Sequence, residues 1–124
     1  MANPNLNSVS NVTCHNSLVS LNTTSATLIV SNANASGSVY LIESLLCANE
    51  DGTNNADLTL VQYDTSDNSG NGTTLANTVV VPADATLVVL SKDMAVNLLE
   101  NQSIYATASA ADDLAVSCYW KELS

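Results

Sequence analysis

Short apolar runs rich in β-branched residues alternate with polar turns from residue 17 to the end of the chain. The clearest example is Thr78-Val79-Val80-Val81-Pro82-Ala83-Asp84-Ala85-Thr86-Leu87-Val88-Val89-Leu90, where two such runs flank a Pro/Asp turn. Runs of this composition bounded by turn residues predict strands. A short connection containing Pro and Asp predicts a hairpin between the two runs.

The same pattern extends along the chain. It predicts strands over residues 17–21, 26–31, 38–49, 56–63, 94–98, 104–108 and 114–122, besides the hairpin within 73–92. Residues 38–49 are apolar on both alternating faces, which is typical of a strand covered on both sides. A helix over residues 40–48 is the alternative, but the flanking residues supply no helix caps. We therefore expect an all-β fold, an antiparallel β-sandwich that is jelly-roll-like with an extended N-terminal arm.

The domain organisation follows from length and composition. Residues 1–16 are rich in Asn and Ser and are expected to form the extended arm. Residues 17–124 are expected to form a single β-sandwich domain, because 124 residues with 46% apolar content suffice for one core. Phe is absent, so this core must be built from Val, Leu, Ile and Ala.

Charge narrows the range of partners. Twelve acidic residues face two basic ones, giving a net charge of -10. A nucleic-acid partner needs Lys and Arg to meet phosphates, and an anionic membrane surface would repel this chain, so neither is expected. The acidity suits either solubility alone or docking onto a basic protein surface. The N-terminus lacks a basic and apolar signal sequence, and no apolar run approaches the length of a membrane span.

Three cysteines occur, Cys14, Cys47 and Cys118. Cys47 and Cys118 lie in apolar strand runs, where a free cysteine behaves as a small hydrophobic residue. Reduced, buried thiols are therefore expected, which is typical of assembly in a reducing cytoplasm.

Little in the sequence predicts catalysis or a metal site. His15 is the single histidine, and it adjoins Cys14 with no second histidine or Cys-x-x-Cys spacing to complete a zinc site. Asp64, Asp67 and Asn68 offer oxygen ligands for calcium, but the spacing of a calcium-binding helix-loop-helix is missing, so solvated turns are the favoured interpretation. Phosphate-binding and nucleophile motifs are absent as well. We expect no enzyme, no cofactor and no metal.

Apolar strand faces beyond those needed for a core predict a surface for association. The candidate residues for such an assembly surface are large side chains on the predicted strands: Tyr40, Ile42, Leu46, Tyr105, Tyr119 and Trp120. Trp120 shares a strand face with Leu114, Val116 and Cys118, so core packing is the other interpretation of this residue.

The chain resembles small virion structural proteins of tailed bacteriophages, especially phages of marine cyanobacteria. The resemblance lies in the Thr78–Leu90 stretch, in Leu98-Leu99-Glu100-Asn101-Gln102-Ser103-Ile104-Tyr105-Ala106-Thr107-Ala108-Ser109-Ala110, and in the closing Val116-Ser117-Cys118-Tyr119-Trp120-Lys121-Glu122-Leu123-Ser124. A weaker match covers residues 42–49 and the Asp51-Gly52 turn. Met94-Ala95 and the Asn-rich turns depart from the forms more usual in such proteins.

The resemblance implies a non-enzymatic virion protein, assembled in the host bacterial cytoplasm. A capsid cement or decoration protein is the leading hypothesis, with the major capsid protein or other virion proteins as partners and a homo-oligomer, preferentially a trimer, as the functional unit. A neck, collar or tail accessory protein and a host-glycan-binding module are the alternatives. The position in the virion and the oligomer number stay open at this point.

Overall fold

The computed structural model describes residues 6–124. Within them the chain forms nine strands, listed in chain order: β1 (Val12–Ser20), β2 (Thr27–Asn32), β3 (Val39–Asn49), β4 (Ala56–Tyr63), β5 (Gly72–Val81), β6 (Thr86–Leu90), β7 (Asn97–Leu98), β8 (Gln102–Ala108) and β9 (Leu114–Leu123). Two single-turn 3₁₀ helices occur at Leu6–Ser8 and Lys92–Met94. No helix among residues 6–124 has the length and apolar character needed to cross a membrane.

The strands form two antiparallel sheets that pack face to face. One sheet has the order β1-β9-β3-β6, with β7 also paired to β3, and the other has the order β2-β8-β4-β5. Successive strands are therefore distributed between the sheets in the order of a jelly roll. This confirms the all-β sandwich expected from the sequence.

The core lies between the inner faces of the two sheets. Its fully buried large side chains are mostly leucines, joined by smaller residues from the central strands: Leu21, Leu45, Leu58, Leu60, Leu98, Ile104, Leu114, Val81, Val116, Cys47 and Cys118. Small and branched side chains from two facing sheets interdigitate in the narrow layer between them. A core without phenylalanine is filled in this way.

Two buried asparagines connect the sheets by hydrogen bonds. Asn49 at the end of β3 donates from Nδ2 to the carbonyl oxygen of Val81 in the opposite sheet, at 2.9 Å. Asn32 at the end of β2 donates from Nδ2 to the carbonyl oxygen of Leu98 at 3.2 Å, again across the sandwich. Both side chains are buried, at 4% and 0% exposure. Each amide thus satisfies backbone carbonyls that the chain leaves unpaired where it passes between sheets.

The predicted hairpin over residues 78–90 is wrong. The turn itself forms, since the amide of Ala85 donates to the carbonyl oxygen of Pro82 at 3.1 Å. However, β5 pairs with β4 and β6 pairs with β3, in the other sheet. The turn therefore carries the chain over the edge of the sandwich, because the partner of each strand is decided by non-local pairing that a turn motif does not encode.

The N-terminal boundary also differs from the sequence expectation. Residues 12–16, which were assigned to the arm, belong to β1, and β1 pairs with β9 without a break from Val12 to Ser20. Residues 1–5 of the predicted arm lie outside the described residues.

A β-bulge at Glu43 changes which residues of β3 share a face. Ile42 pairs with Trp120 and Ser44 pairs with Tyr119, which leaves Glu43 as the extra residue. The alternation of side chains between the two faces of the sheet is therefore shifted by one position after Glu43. As a result Ile42 lies on the inner face with Leu45, whereas uninterrupted alternation predicts it on the same face as Leu46.

Candidate assembly surface

The solvent side of the five-stranded sheet, which we call the outer face, carries several apolar side chains among small polar ones. Strand register aligns Leu18, Ser117, Leu46 and Val88 in one row across β1, β9, β3 and β6. Leu18 is 70% exposed and Val88 is 56% exposed. Tyr119 belongs to the adjoining row and is 39% exposed. A group of exposed apolar side chains on one sheet face is a candidate contact surface.

The outer face also collects the basic residues of the chain. One carboxylate oxygen of Glu43 lies 3.3 Å from Lys121 Nζ, and the other lies 3.9 Å from Lys92 Nζ. These are the two basic residues in a chain with a net charge of -10. The trio carries one net positive charge, so this part of the outer face is not acidic.

Acidic residues concentrate at one end of the sandwich, where three loops meet. Backbone hydrogen bonds tie the loops together, from Glu50 N to Asp113 O at 2.7 Å and from Asp84 N to Asp51 O at 3.2 Å. Asp112 lies in the same group, next to Asp113. A pole with this density of carboxylates repels a second acidic pole and attracts a basic surface.

Aromatic side chains form a stack on the inner face, at the end where this sheet is open to solvent. The rings of His15 and Trp120 lie 5.7 Å apart, and those of Trp120 and Tyr40 lie 5.8 Å apart, both close to parallel. The three residues come from the neighbouring strands β1, β9 and β3. Cross-strand ring contacts of this kind stabilise strand pairing, and here they fix β1 to the sheet.

Glu122 lies beside this stack and connects it to a turn. One carboxylate oxygen lies 2.7 Å from His15 Nε2, and the other accepts the hydroxyl of Ser38 at 2.8 Å. Desolvation raises the pKa of Tyr40, and the negative charge of Glu122 raises this pKa further. The arrangement holds side chains in place and leaves no activated nucleophile, because Tyr40 is kept protonated.

The sequence neighbours Cys14 and His15 do not form a reactive pair. Successive residues of a strand point to opposite faces of a sheet. His15 therefore contacts Trp120 on the inner face, whereas Cys14 lies in the row of Lys121 on the outer face. The imidazole cannot orient or deprotonate the thiol in this geometry.

The acidic loop between β4 and β5 uses its carboxylates for its own hydrogen bonds. Asp64 accepts the amide of Asn71 at 2.7 Å, and Asp67 accepts the amide of Ser69 at 2.9 Å. Hydrogen bonds from the Ser69 hydroxyl and amide lower the pKa of Asp67. Within residues 6–124 no group of three or more His, Cys, Asp or Glu side chains is arranged to hold a metal ion.

The six residues predicted as an assembly surface fall into three places. Leu46 and Tyr119 lie on the outer face. Tyr40, Ile42 and Trp120 lie on the inner face, where Ile42 is 3% exposed. Tyr105 lies on β8 in the other sheet, with its ring edge against Tyr63 at 5.6 Å. The structure thus places two of the six on the outer face and three together on the inner face.

Sequence reasoning missed Leu18 and Val88, the most exposed residues of the central row. The predicted hairpin over residues 78–90 gives Val88 no surface role. The sequence predicts a first strand that begins at residue 17, five residues after the observed start, so the prediction does not place Leu18 on one strand face with Cys14 and Asn16. Val12, Cys14 and Leu18 alternate with the polar residues 13, 15 and 17, and this was the available signal.

All three cysteines are free, with Cys14 exposed and Cys47 and Cys118 buried. Burial raises the pKa of Cys47 to about 11 and that of Cys118 to about 12. The two buried thiols therefore act as core side chains, and Cys14 is the thiol that a reagent or a partner can reach.

Comparison with known proteins gives a likeness of fold. No protein-family model and no curated protein matches the chain. Among solved structures, it resembles a chain from Bacillus endospore appendages, described as a novel family of disulfide-linked pili. The match has a TM-score of 0.50 and 17% sequence identity, and covers 92% of this chain and 85% of that chain. This likeness extends to the fold, an all-β sandwich, and to nothing further.

Proposed function

We propose that this protein is a non-enzymatic structural subunit that associates with copies of itself and with a larger particle. The observation that carries the proposal is the outer face, where large apolar side chains lie exposed around a charge cluster that is not acidic. Such a face gains about 25 cal/mol for each Å² of apolar surface that a partner covers. In a chain with a net charge of -10, it is a surface on which a second copy meets little repulsion.

Most of the reactive side chains among the described residues are either buried or engaged in local contacts, which fits this role. The one histidine is held by Glu122 and Trp120, two of the three thiols are buried, and the carboxylates of the β4–β5 loop bond to their own loop. These side chains rigidify the fold, which is what a subunit of an assembly requires.

A particle of a tailed bacteriophage is the specific setting that we propose, on the basis of the sequence resemblance. In that setting the protein would be a capsid cement or decoration protein, with the major capsid protein as its partner. The acidic end of the sandwich supports docking to a basic shell surface, because opposite charges steer and orient an encounter. A neck, collar or tail accessory position uses the same surfaces.

A subunit of a fibre is the second candidate. It is favoured by the likeness of fold to a chain from pili of Bacillus endospores and by the exposed Cys14 on an outer strand. A fibre differs from a decorated shell in its symmetry, since it grows through repeated head-to-tail contacts and does not close.

Association state tests the proposal directly. The purified chain is expected to self-associate at tens of micromolar in sedimentation velocity and light scattering. Val88→Asp combined with Tyr119→Asp is expected to weaken this association, because it places charge on the outer face. Leu28→Asp combined with Val80→Asp is the matched control, since Leu28 and Val80 are 44% and 51% exposed on the other sheet. A wild-type monomer at these concentrations would rule the proposal out.

Electron microscopy separates the two settings. A shell-bound protein is expected to decorate capsids and to remain as small closed oligomers by itself, whereas a fibre subunit is expected to form filaments. Filaments of the purified protein would overturn the capsid assignment and leave the assembly role in place.

A further inference from the structure

The hydrogen-bond pattern of β1 shows which of its backbone groups face away from the sheet. Asn11 and Ser124 exchange both of their backbone hydrogen bonds, at 2.9 and 3.0 Å. In an antiparallel pair such exchanging pairs recur at every second residue. The backbone groups of Thr13, His15, Ser17 and Val19 therefore point toward β9. Those of the alternate residues, Val12, Cys14, Asn16, Leu18 and Ser20, point outward, where the described residues provide them with no strand partner.

This free edge lacks the devices that normally protect an outer strand. Residues 12–20 contain no Pro, Lys, Arg, Asp or Glu. Their register with β9 runs without a bulge, whereas the outer strands β2 and β5 of the other sheet are both interrupted by register shifts. The opposite outer strand, β6, spans five residues. β1 is thus a long and regular edge, the kind that pairs with another strand unless something prevents it.

The side chains of β1 are exposed to solvent, as its outer edge is. Seven of its nine residues are exposed, and only Ser17 and Val19 are partly covered. The strand carries two of the large exposed apolar side chains of the molecule, Val12 at 60% and Leu18 at 70%. Its one titratable side chain besides the Cys14 thiol, His15, is already engaged by Glu122. A strand added to this edge would meet no charge and would shield both side chains from water.

We propose that β1 pairs antiparallel with β1 of a second copy, about a two-fold axis that passes beside Asn16. In this register the five outward-facing residues of one strand meet the five of the other: Asn16 faces Asn16, Cys14 faces Leu18, and Val12 faces Ser20. Each pair exchanges two backbone hydrogen bonds, so that about ten bonds form and no outward group is left over. Shifting the axis by one residue in either direction leaves one outward residue of each strand without a partner.

A second copy of this chain is the partner that best suits the free edge of β1. A basic or an acidic partner would find no opposite charge along β1, whereas an identical strand is equally neutral and equally long. Two-fold pairing also sets the exposed Leu18 beside Cys14 of the other strand, which covers it on the side where this sheet ends. Closed two-fold contacts are self-limiting, so this strand does not recruit further copies.

The inference rests on the proposed assembly role and makes it more specific. It predicts that the building block is a two-fold dimer in which the two five-stranded sheets are continuous, instead of the trimer expected from the sequence. The outer face then runs unbroken across both copies and doubles in extent.

A cysteine at position 18 tests the register with the native thiol of the partner. In Leu18→Cys, the new thiol is expected to lie opposite Cys14 of the other copy, with about 5.5 Å between the Cα atoms, which suits a disulfide. Copper phenanthroline with air, which removes two electrons and two protons for each disulfide, should convert most of this variant to a covalent dimer on non-reducing gels.

The matched control is Cys14→Ser with Leu18→Cys. Its single surface thiol lies four residues out of register with its copy, about 13 Å away, and should not form the bond. In the wild type, Cys14 of one copy is also four residues out of register with Cys14 of the other, so both thiols should stay reduced. Equal cross-linking of Leu18→Cys and of this control would overturn the register.

A second measurement tests the edge itself. Asn16→Pro removes an outward amide that is not bonded to β9, so the fold should persist by circular dichroism while dimerisation weakens at least tenfold. Asn16→Ala keeps the amide and should dimerise as the wild type does. If Asn16→Pro and wild type associate equally, the edge pairing is wrong while the assembly role stands. If the wild type is a monomer, both proposals fail.

Discussion

Asn49 and Val81 are 32 residues apart in the chain and belong to different sheets, and a 2.9 Å hydrogen bond joins the side-chain amide of Asn49 to the Val81 carbonyl oxygen. The same amide donates to the Asn54 carbonyl oxygen at 3.0 Å, and its oxygen accepts the Asp51 amide at 2.9 Å. One side chain therefore connects both sheets and orders the acidic turn between β3 and β4.

Asn49→Ala is expected to destabilise the protein by about 1–3 kcal/mol, because it leaves buried backbone groups without partners. Urea unfolding measures the change at a concentration where the chain is monomeric. Asn68→Ala, an exposed asparagine in the β4–β5 loop, should change the free energy of unfolding by less than about 0.5 kcal/mol. Similar effects of the two substitutions would contradict the role given to Asn49.

Substitution of two leucines on opposite sides of the five-stranded sheet should affect different properties of the protein. Leu45 is 0% exposed and Leu18 is 70% exposed. Leu45→Ala should cost about 2–5 kcal/mol of unfolding free energy through the cavity it leaves. Leu18→Ala should leave the stability of the monomer nearly unchanged and reduce self-association in sedimentation velocity. A large loss of monomer stability in Leu18→Ala would show that Leu18 packs within its own chain.

Thiol reactivity should separate the three cysteines. Iodoacetamide at pH 8 is expected to modify Cys14 alone in the native protein, because burial both shields Cys47 and Cys118 and raises their pKa. Mass spectrometry should show one adduct before denaturation and three after it. Rapid native labelling of a second cysteine would mean that the core opens locally.

Stability should decline at alkaline pH. The pKa is about 11 for Cys47 and about 12 for Cys118 in the folded state, above the 9.0 of an exposed thiol. Between pH 9 and these values the unfolded chain loses thiol protons that the folded chain retains, so the free energy of unfolding falls as pH rises. Below pH 8 the two thiols should contribute no slope. Cys47→Ala with Cys118→Ala should flatten the alkaline slope in urea titrations, and an unchanged slope would assign it to other groups.

The pKa of Tyr40 should fall when the neighbouring charge is removed. Burial is the larger cause of its raised pKa and the charge of Glu122 is the smaller one. Glu122→Gln should therefore lower the pKa toward the ordinary 10.0 without reaching it. An NMR titration with ¹³C-labelled tyrosine resolves this residue from the other three. A rise in the pKa would contradict the placement of Glu122 beside the ring.

The interface variants differ in what they report. Val88 lies on β6 and Asn16 on β1, at opposite edges of the five-stranded sheet. A substitution at Val88 therefore tests the outer face, and one at Asn16 tests edge pairing. Because the sites are far apart and share no partners, their effects on association should add.

The sequence alone determined the strand content of this protein, its all-β class and the burial of Cys47 and Cys118. These follow from local alternation and composition, since a β-branched run between turn residues has few other stable conformations. The strand β4 was predicted over its observed range for this reason, and β3 to within one residue.

Only the tertiary structure decided which strands pair and which faces remain exposed. The turn at Pro82 looks the same whether β6 returns beside β5 or crosses to the other sheet, and the bulge at Glu43 reverses the faces of β3 with no mark in the sequence pattern. Leu18 is exposed because β1 lies at a sheet edge, and edges arise from long-range pairing. Local sequence encodes the conformation of a strand, whereas its neighbours are chosen by the packing of the whole chain, and the surface available for assembly depends on that choice.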